Sequence, residues 1–277
     1  MKRITKLLTA IALVLALCLS LFSCEFLDEI IDIAQGLEQG LEDLKDILAE
    51  LERIEGEDPE YTGGNPEDNL NIPSVSLDSI PAFDDIPYVK INGDVPFFTE
   101  EEIVTESYEI YYDMDDLGRC TLTIACIGQD LMPTEDRGSI GQVKPSGWQS
   151  VKYDIVDGKY LYNRCHLIGF QLTGENANVN NLITGTRYLN VIGMLPFEDM
   201  VADYVKETGN HVMYRVTPIY QGDELVARGV LMEGYSVEDE GEGICFCIYA
   251  YNNQPGVIIN YADGTSKLDP DYTPKND

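Results

Sequence analysis

The chain has 277 residues, and its 49 aspartates and glutamates outnumber 18 lysines and arginines, for a net charge of −31. This acidity excludes a broadly basic surface, which is how most proteins bind nucleic acid. The excess is not confined to one end: 19 acidic and 5 basic residues precede Pro87, and 30 acidic and 13 basic residues follow it. Any site for an anion must therefore rely on a small local group of basic side chains.

The N-terminus has the pattern of an export signal. Basic residues lie within the first six positions, and an apolar run follows from Leu7 to Phe22. The run is short for a membrane span, and no basic stop-transfer segment follows it. Leu21–Cys24 resembles a bacterial lipoprotein cleavage box, so residues 1–23 are predicted to be a lipoprotein signal peptide. Cys24 would then anchor the protein to the outer face of the cell membrane. An ordinary signal peptide, and a secreted protein, is the alternative.

Residues 24–55 are acidic and have helical periodicity, which predicts a stalk. Apolar residues alternate three and four positions apart over four heptads, a pattern typical of a coiled coil. Self-association through the 27–51 helix and a single amphipathic helix remain alternatives. The repeating positions are Leu27, Ile30, Ala34, Leu37, Leu41, Leu44, Leu48 and Leu51.

Residues 56–86 are predicted to be a linker, because they contain four prolines, a Gly-Gly pair and no basic residue. From residue 87 the composition becomes globular, and residues 87–268 are long enough for one domain with its own core. Residues 269–277 are predicted to be a loose tail.

Several runs rich in β-branched and aromatic residues predict strands separated by polar or glycine-containing turns. Many strands with few helices indicate an α+β domain built on a central antiparallel sheet. The predicted strands are Thr121–Ile127, Val212–Tyr220, Leu225–Glu233, Gly243–Tyr251 and Val257–Tyr261.

The stretch with the clearest chemical character begins with a predicted strand over Tyr160–Ile168. Side chains alternate along a strand, so Tyr162, Arg164 and His166 should share one face, while Asn163 and Cys165 should point the other way. An arginine supplies fixed charge and paired donors to phosphate oxygens. A histidine can accept a proton from water near neutral pH.

A returning strand is predicted over Leu182–Tyr188, after an asparagine-rich loop. Apolar residues then recur at helical spacing up to Val205, which predicts a helix. Asn190 lies at the head of this helix, where its side-chain oxygen can cap the helix or bind a cation. The order is strand, loop, strand, helix.

At these residues the chain resembles the ββα-metal (His-Me finger) superfamily of DNA/RNA non-specific endonucleases. Asn-Arg-Cys-His at 163–166, followed by Asn181, Asn190 and Glu198, resembles its signature of Asp-Arg-Gly-His, a metal-binding Asn and a helix Glu. The nearest resemblance is to streptococcal secreted DNases and DNA-entry nucleases. Further phrases of that branch are Lys144–Trp148 and Gln254–Gly256.

The resemblance implies a role for each matching residue. His166 would be the general base, Arg164 the signature arginine and Asn190 the Mg²⁺ ligand, with Mn²⁺ or another divalent ion as the alternative metal. Glu198 would orient metal-bound water, and Asn181 would lie near the site. The implied reaction is hydrolysis of DNA, with RNA as a second substrate, to 5′-phosphate ends.

Two signature positions depart from the family pattern, since Asn163 stands for Asp and Cys165 for Gly. Both are predicted to face away from the reaction and to alter support of the site. A local basic patch for the substrate is predicted from Arg164 and Arg187, with Lys144 and Lys152 as further candidates.

These residues also allow other interpretations. A lipoprotein that keeps the nuclease fold but binds a protein or glycan without catalysis is the alternative function. Asp136–Ser139 imitates the signature but lacks a base, so it is predicted to be a loop. His211 is predicted to be structural. A Zn²⁺ site is disfavoured, because the histidines are distant and no paired cysteine motif is present.

An exported protein can form disulfides. Cysteine pairs lie in two predicted strand regions, Cys120 with Cys126 and Cys245 with Cys247. Partners on one strand are poorly placed to bond to each other, so any bridges are expected to join the two strands.

Overall fold

A computed structural model describes residues 75–274 of the protein. The predicted signal peptide, Cys24 and the 24–55 stalk lie outside the described residues. No helix in the 75–274 range is long and apolar enough to cross a membrane. The described strands are β1 (Tyr88–Lys90), β2 (Tyr108–Tyr111), β3 (Thr123–Ile127), β4 (Tyr162–His166), β5 (Leu182–Thr186), β6 (Val212–Ile219), β7 (Gly229–Ser236), β8 (Cys245–Tyr251), β9 (Val257–Ile259) and β10 (Ser266–Leu268); the α-helices are α1 (Phe170–Thr173) and α2 (Leu195–Thr208).

Six strands form the central antiparallel sheet, in the order β1-β8-β7-β6-β3-β2. Its middle is built from the long strands β6, β7 and β8, which pair as consecutive antiparallel neighbours. These strands are buried along almost their whole length. The predicted α+β class with a central antiparallel sheet is confirmed.

Strands β4 and β5 form a separate two-stranded sheet, followed by α2. The register places His166 opposite Leu182 and Arg164 opposite Thr184. A π-helical segment, Leu189–Met194, connects β5 to α2. This β4-β5-α2 unit, here called the finger, has the predicted strand–loop–strand–helix order.

Helix α2 packs against the sheet because its apolar residues repeat at helical spacing. Val201, Ala202 and Val205 are fully buried in the main core with residues of β3, β6, β7 and β8. The helix ends at Gly209, whose left-handed φ of 75° lets its N–H donate to the Val205 carbonyl.

A buried amide fastens the finger to the sheet. Asn252, which directly follows β8, is 0% exposed. Its Oδ1 accepts from the Thr186 N–H at 2.8 Å, and its Nδ2 donates to the carbonyls of Thr184 and Ala227 at 3.0 and 2.9 Å. One side chain therefore satisfies backbone groups of β5 and of the loop before β7, which fixes where β5 lies.

The strand predictions differ from the structure mainly at their ends. The prediction for 225–233 is the furthest off, since β7 runs from Gly229 to Ser236. The preceding residues have other partners: the Val226 N–H donates to Tyr261, and the Arg228 N–H donates to Ile219. The short strands β1, β2 and β10 were not predicted, because three or four residues are too few to show alternation.

The domain also begins earlier than Pro87, because part of the predicted linker packs on it. The Tyr251 hydroxyl donates to the Pro81 carbonyl at 2.7 Å, and the Tyr188 hydroxyl donates to the Asp85 carbonyl at 2.5 Å. The Phe83 ring contacts both tyrosine rings. The sequence of the linker does not predict this docking, because both hydrogen bonds are accepted by backbone carbonyls, which every residue has.

The sequence left disulfide formation open, and all five cysteines among the described residues are free thiols. Cys126 lies on β3, whereas Cys245 and Cys247 lie on β8, and strands β6 and β7 separate them in the sheet. The expectation that bridges join the two strands is wrong, because it assumed that the strands are neighbours.

A buried ion network crosses the sheet away from the finger. Arg215 on β6 is 0% exposed and donates from Nε and Nη2 to the Glu233 carboxylate of β7 at 2.7 and 2.9 Å. Its Nη1 reaches Glu102 at 2.9 Å, and the Phe98 ring lies 4.5 Å from the guanidinium. The network ties residues 98–102 to the sheet.

Replacing Glu233 by Ala is expected to lower the free energy of unfolding by about 3–5 kcal/mol, because Arg215 would lose its buried partner. Urea unfolding of the full chain measures this loss of free energy. The double variant Arg215→Met/Glu233→Leu is the control, since removing both charges should cost less than Glu233→Ala alone. An equal or greater loss in the double variant would show that packing, and not the unpaired charge, dominates.

Candidate active site

A cavity of about 750 Å³ opens beside the finger. Strand β4, the start of α1, the π-helical segment and α2 supply much of its lining. The polar residues that matter for chemistry are Arg137, Arg164, His166, Arg187, Asn190 and Glu198. The structure therefore brings together five residues singled out from the sequence, and adds Arg137.

The side chains of β4 largely follow the predicted alternation. Tyr162, Arg164 and His166 all border the cavity. Cys165 points into the main core and is 1% exposed. Asn163 is predicted to face away, yet it too borders the cavity, and its buried Nδ2 has no hydrogen-bond partner among residues 75–274.

The Cys165 departure from the family signature has a local structural fit. Cys165 pairs with Ile183 of β5, and Gly185 lies two residues further along that strand. A Cβ added to Gly185 would lie 2.5 Å from the Cys165 Cβ. A side chain at 165 thus requires glycine at 185, since the space is already filled. The Cys165 thiol is consequently a packing group, and burial raises its pKa well above the usual value.

His166 is held as a neutral base. It is 5% exposed, with Nε2 donating to the Asn176 carbonyl at 2.8 Å and Nδ1 lying 3.1 Å from Arg137 Nη2. Since an arginine can only donate, Nδ1 must be the unprotonated nitrogen. Burial, reinforced by the positive charge of Arg137, lowers the pKa of His166 to about 4.

Arg137 is the site residue that the sequence interpretation missed. The sequence predicts a loop without a base over residues 136–139. The loop in fact carries the guanidinium to His166 Nδ1 and to within 6.0 Å of the Phe170 ring centre. Asp136–Ser139 repeats the Asp-Arg-Gly part of the family signature and has a serine in place of its histidine. The arginine in this repeat was the signal that could have identified the residue.

Asn190 lies in the π-helical segment between β5 and α2. The Thr186 hydroxyl accepts from the Leu189 N–H at 2.9 Å, which holds the start of this segment. The wider π-helical turn is a common device at functional sites. Within residues 75–274 the side-chain amide of Asn190 makes no hydrogen bond, so its oxygen is available to a ligand in the cavity.

Glu198 is a buried carboxyl group at the same cavity. Burial is the main cause that raises its pKa to about 8, the neighbouring charge of Asp199 adds to the rise, and Arg137 opposes it. The carboxyl group packs against Gly169, where an added Cβ would lie 2.6 Å from Glu198 Oε2. A cation in the cavity would favour the ionised form.

Arg164 and Asn181 both form hydrogen bonds to backbone groups of the protein itself. Arg164 Nε donates to the Val143 carbonyl and Nη2 to the Gly141 carbonyl, while the guanidinium stacks on Trp148 at 4.2 Å. Asn181 is 0% exposed, and both ends of its amide bond the Ile168 backbone at 2.9 Å. Asn181 thus braces the chain after β4 and does not border the cavity.

The two residues predicted to bind substrate are placed differently. Arg187 borders the cavity, and its guanidinium is paired with the exposed Asp157 at 2.8 Å. Lys144 is exposed on the loop before Trp148 and is not part of the cavity wall. Lys152 lies over the ring of Tyr160 at 4.3 Å.

The donor set fits a hydrated hard cation. Among the described residues, no cluster of three or more His, Cys, Asp or Glu side chains could hold a metal ion. A free amide oxygen on Asn190 and the buried Glu198 carboxyl are oxygen donors, and Mg²⁺ binds through few protein oxygens while keeping several waters.

The sequence model of the DNA/RNA non-specific endonuclease family matches residues 99–238, which is half of the chain. The chain belongs to this family. The matched range includes every cavity residue discussed above.

Individual relatives agree with this assignment. A deoxyribonuclease from Streptococcus dysgalactiae subsp. equisimilis is 34% identical over 110 residues, which is 38% of this chain and 32% of that protein. The match thus spans about a third of that relative's length. NucA from Streptococcus agalactiae, solved with a magnesium ion bound, shares the fold with a TM-score of 0.57 at 23% identity, over 65% of this chain and 87% of that one. The structure of Sda1 nuclease with a bound zinc ion has a TM-score of 0.57 and 26% identity, over 66% of this chain and 97% of that one.

Gly169→Ala is expected to reduce DNA cleavage by roughly 10- to 100-fold, because the new methyl group would displace the Glu198 carboxyl group. Cleavage rates and thermal unfolding measured together separate this effect from loss of the fold. Gly141→Ala is the matched control, because the nearest atom to its added Cβ is 3.8 Å away. Equal rates for the two variants would contradict the proposed position of Glu198.

The protonation of His166 can be measured directly, because the chain has only two histidines. The imidazole is expected to stay neutral above its pKa of about 4. Arg137→Met should raise that pKa towards the ordinary value, since it removes a like charge and opens the site to water. An NMR titration of the His166 ring, with His211 as an internal reference resonance, gives the midpoint. An unchanged or lower midpoint would contradict the role of Arg137.

Proposed function

We propose that this protein is a metal-dependent, sequence-nonspecific endonuclease that hydrolyses phosphodiester bonds of DNA, with RNA as a second substrate, to 5′-phosphate ends. The observation that carries the proposal is one cavity containing a neutral His166, an unpaired Asn190 amide and the buried Glu198. Family membership supplies the reaction class, and these residues supply a base and a cation site for it.

His166 acts as the general base through Nδ1. The Nε2–H bond to the Asn176 carbonyl fixes the ring and leaves the Nδ1 lone pair towards the cavity. An attacking water that takes the place of the Arg137 donor would give its proton to this atom. The low pKa keeps the imidazole unprotonated before the reaction, at the cost of a weaker driving force for proton transfer.

Arg137 is released to the substrate when water occupies His166 Nδ1. A phosphate oxygen is a stronger acceptor for a guanidinium than a neutral imidazole, because the bond is charge-assisted on both sides. Arg137 would then stabilise charge on the scissile phosphate. Arg164 positions the loop through the Val143 and Gly141 carbonyls and adds positive charge to the cavity wall.

Asn190 would hold a divalent cation, and Glu198 would orient the water molecules around it. When bound, such an ion stabilises the negative charge that develops on the phosphate and the leaving oxygen. We propose Mg²⁺, because a single amide oxygen with water suits this ion. Mn²⁺ or another divalent ion is the alternative, and the related structures carry magnesium in one case and zinc in another.

We also propose export and lipid anchoring of the protein, on the sequence pattern alone. The Leu21–Cys24 box supports an anchor on Cys24, and the acidic 27–51 helix supports a stalk that can self-associate. Metabolic labelling with a palmitate analogue tests the anchor, because Cys24→Ser should abolish the label. Persisting label on the variant would overturn it.

The second candidate function is binding of a protein or glycan without catalysis. It is favoured by the net charge of −31 and by the two departures at Asn163 and Cys165. Retention of His166, Asn190 and Glu198 around one cavity favours catalysis more strongly, because a binding surface has no use for this combination.

Cleavage of plasmid DNA and of RNA with Mg²⁺ distinguishes the two functions. His166→Ala is expected to slow cleavage by roughly 100- to 10,000-fold, the usual contribution of a general base. Asn190→Ala should raise the Mg²⁺ concentration needed for half-maximal cleavage, and a chelator should stop the reaction. His211→Gln is the matched control, because His211 pairs with Glu238 outside the cavity wall.

Each outcome of this experiment is informative. Equal rates for wild type and His166→Ala would show that another group is the base. No cleavage by the wild type at low salt, with any of several divalent ions, would favour the non-catalytic function. Ligation of the products without prior phosphorylation tests the predicted 5′-phosphate ends.

A further inference from the structure

One aromatic side chain at the cavity stands apart from the rest. Tyr160 is 49% exposed, and every other aromatic side chain in residues 75–274 is half-buried or buried. It borders the same cavity as His166, and the Lys152 ammonium group lies 4.3 Å from its ring centre. A large exposed ring beside such a cavity offers a contact surface for a flat apolar ligand group.

The other aromatic rings of the cavity already have partners. Trp148 is stacked with the Arg164 guanidinium at 4.2 Å. Tyr162 is buried, and its hydroxyl donates to the Gly264 carbonyl at 2.9 Å. Phe170 is half-buried, with Arg137 6.0 Å from its ring centre. Tyr160 is therefore the ring in this wall with most surface left to offer.

Tyr160 is also held by an ordered backbone. It pairs with Lys152 as antiparallel neighbours, and the Leu161 N–H donates to the Val151 carbonyl at 3.1 Å. Val156 and Leu161, on the same hairpin, are buried in a small second core. The hairpin thus presents the ring on a fixed support, which limits the entropy lost when a ligand stacks on it.

Stacking on an aromatic ring can add binding affinity where the charges of the cavity attract phosphates only weakly. Arg187 is paired with the carboxylate of Asp157, and the chain as a whole carries −31. Attraction of phosphates alone is therefore a weak source of affinity. Stacking of a base on an aromatic ring does not depend on net charge, and every base has a face to offer.

We propose that Tyr160, with Lys152 beneath its ring, is a nucleobase-stacking platform that makes single-stranded nucleic acid the preferred substrate. The proposal rests on the nuclease function proposed above. In a duplex the faces of the bases are covered by their neighbours, so only an unstacked base reaches the ring. Lys152 adds a cation near the sugar-phosphate chain of the same nucleotide.

The stacked base is not the one at the scissile phosphate. Tyr160 and His166 are six positions apart in the chain, which corresponds to roughly 20 Å at the rise of a strand. The platform therefore engages a base several nucleotides away from the bond that is cut. Such a contact raises affinity without selecting a sequence at the cleavage site.

Binding of three probes to the full chain carrying His166→Ala, with Mg²⁺ present, tests the platform without hydrolysis. The probes are a labelled oligothymidylate, an abasic strand of the same length and charge, and a duplex of the same length. The oligothymidylate is expected to bind roughly 5- to 100-fold more tightly than the abasic strand, the range for stacking of one base. It should also bind more tightly than the duplex.

Substitutions at Tyr160 locate the effect. Tyr160→Leu should remove the preference for bases without changing the slope of affinity against salt concentration, because no phosphate contact is lost. Tyr160→Phe keeps the ring and should keep the preference. Tyr272→Leu, the same change on a half-buried tyrosine outside the cavity wall, should keep it as well.

The outcomes separate the platform from the nuclease function. Equal affinity for the oligothymidylate and the abasic strand, in a protein whose wild type cleaves DNA, overturns the platform and leaves the nuclease standing. A preference that survives Tyr160→Leu overturns the assignment to this residue. Absence of both binding and wild-type cleavage overturns the nuclease function and the platform with it.

Discussion

Two buried asparagines hold the finger in place, and the arrangement of the cavity depends on them. Asn252 satisfies backbone groups of β5 and of the loop before β7. Asn181, directly before β5, bonds the backbone of Ile168, just after β4. Each amide is fully buried, so losing it would leave backbone donors and acceptors unpaired at a cost of about 1–3 kcal/mol per group. The finger has little sheet of its own and would be poorly positioned without these bonds.

Burial then gives the site its chemistry. The same low-polarity surroundings shift His166 and Glu198 in opposite directions on the pH scale, since each is pushed towards its neutral form. For His166 the neutral form is the one that a base needs. For Glu198 the neutral form is useful only until a cation enters the cavity and favours the carboxylate. Arg137 lies close enough to lower the pKa of both groups.

The acidity of the chain sets a second constraint on how this cavity can bind an anionic polymer. Three arginines border the cavity. Of these, Arg164 donates to backbone carbonyls and Arg187 is paired with Asp157. The proposed nuclease would draw affinity from other sources, namely a bound cation and the faces of unstacked bases. The exposed ring of Tyr160 offers such a face. Because Arg187 is paired with Asp157, the number of basic residues alone does not give the charge that a substrate meets.

The sequence by itself determined the α+β class, the strand–loop–strand–helix order of the finger and the family, because these follow from periodicity and from residue types at fixed spacing. It also singled out His166, Asn190 and Glu198, which the fold brings to one cavity. Only the tertiary structure decided that Arg137 reaches His166, that Asn181 is a brace and that Lys144 lies outside the cavity wall. It likewise separated the cysteine-bearing strands and docked Phe83 on the domain. The physical reason is that these features depend on contacts between residues far apart in the chain, whereas patterns along a sequence report only on the local backbone and on which side of an element is buried.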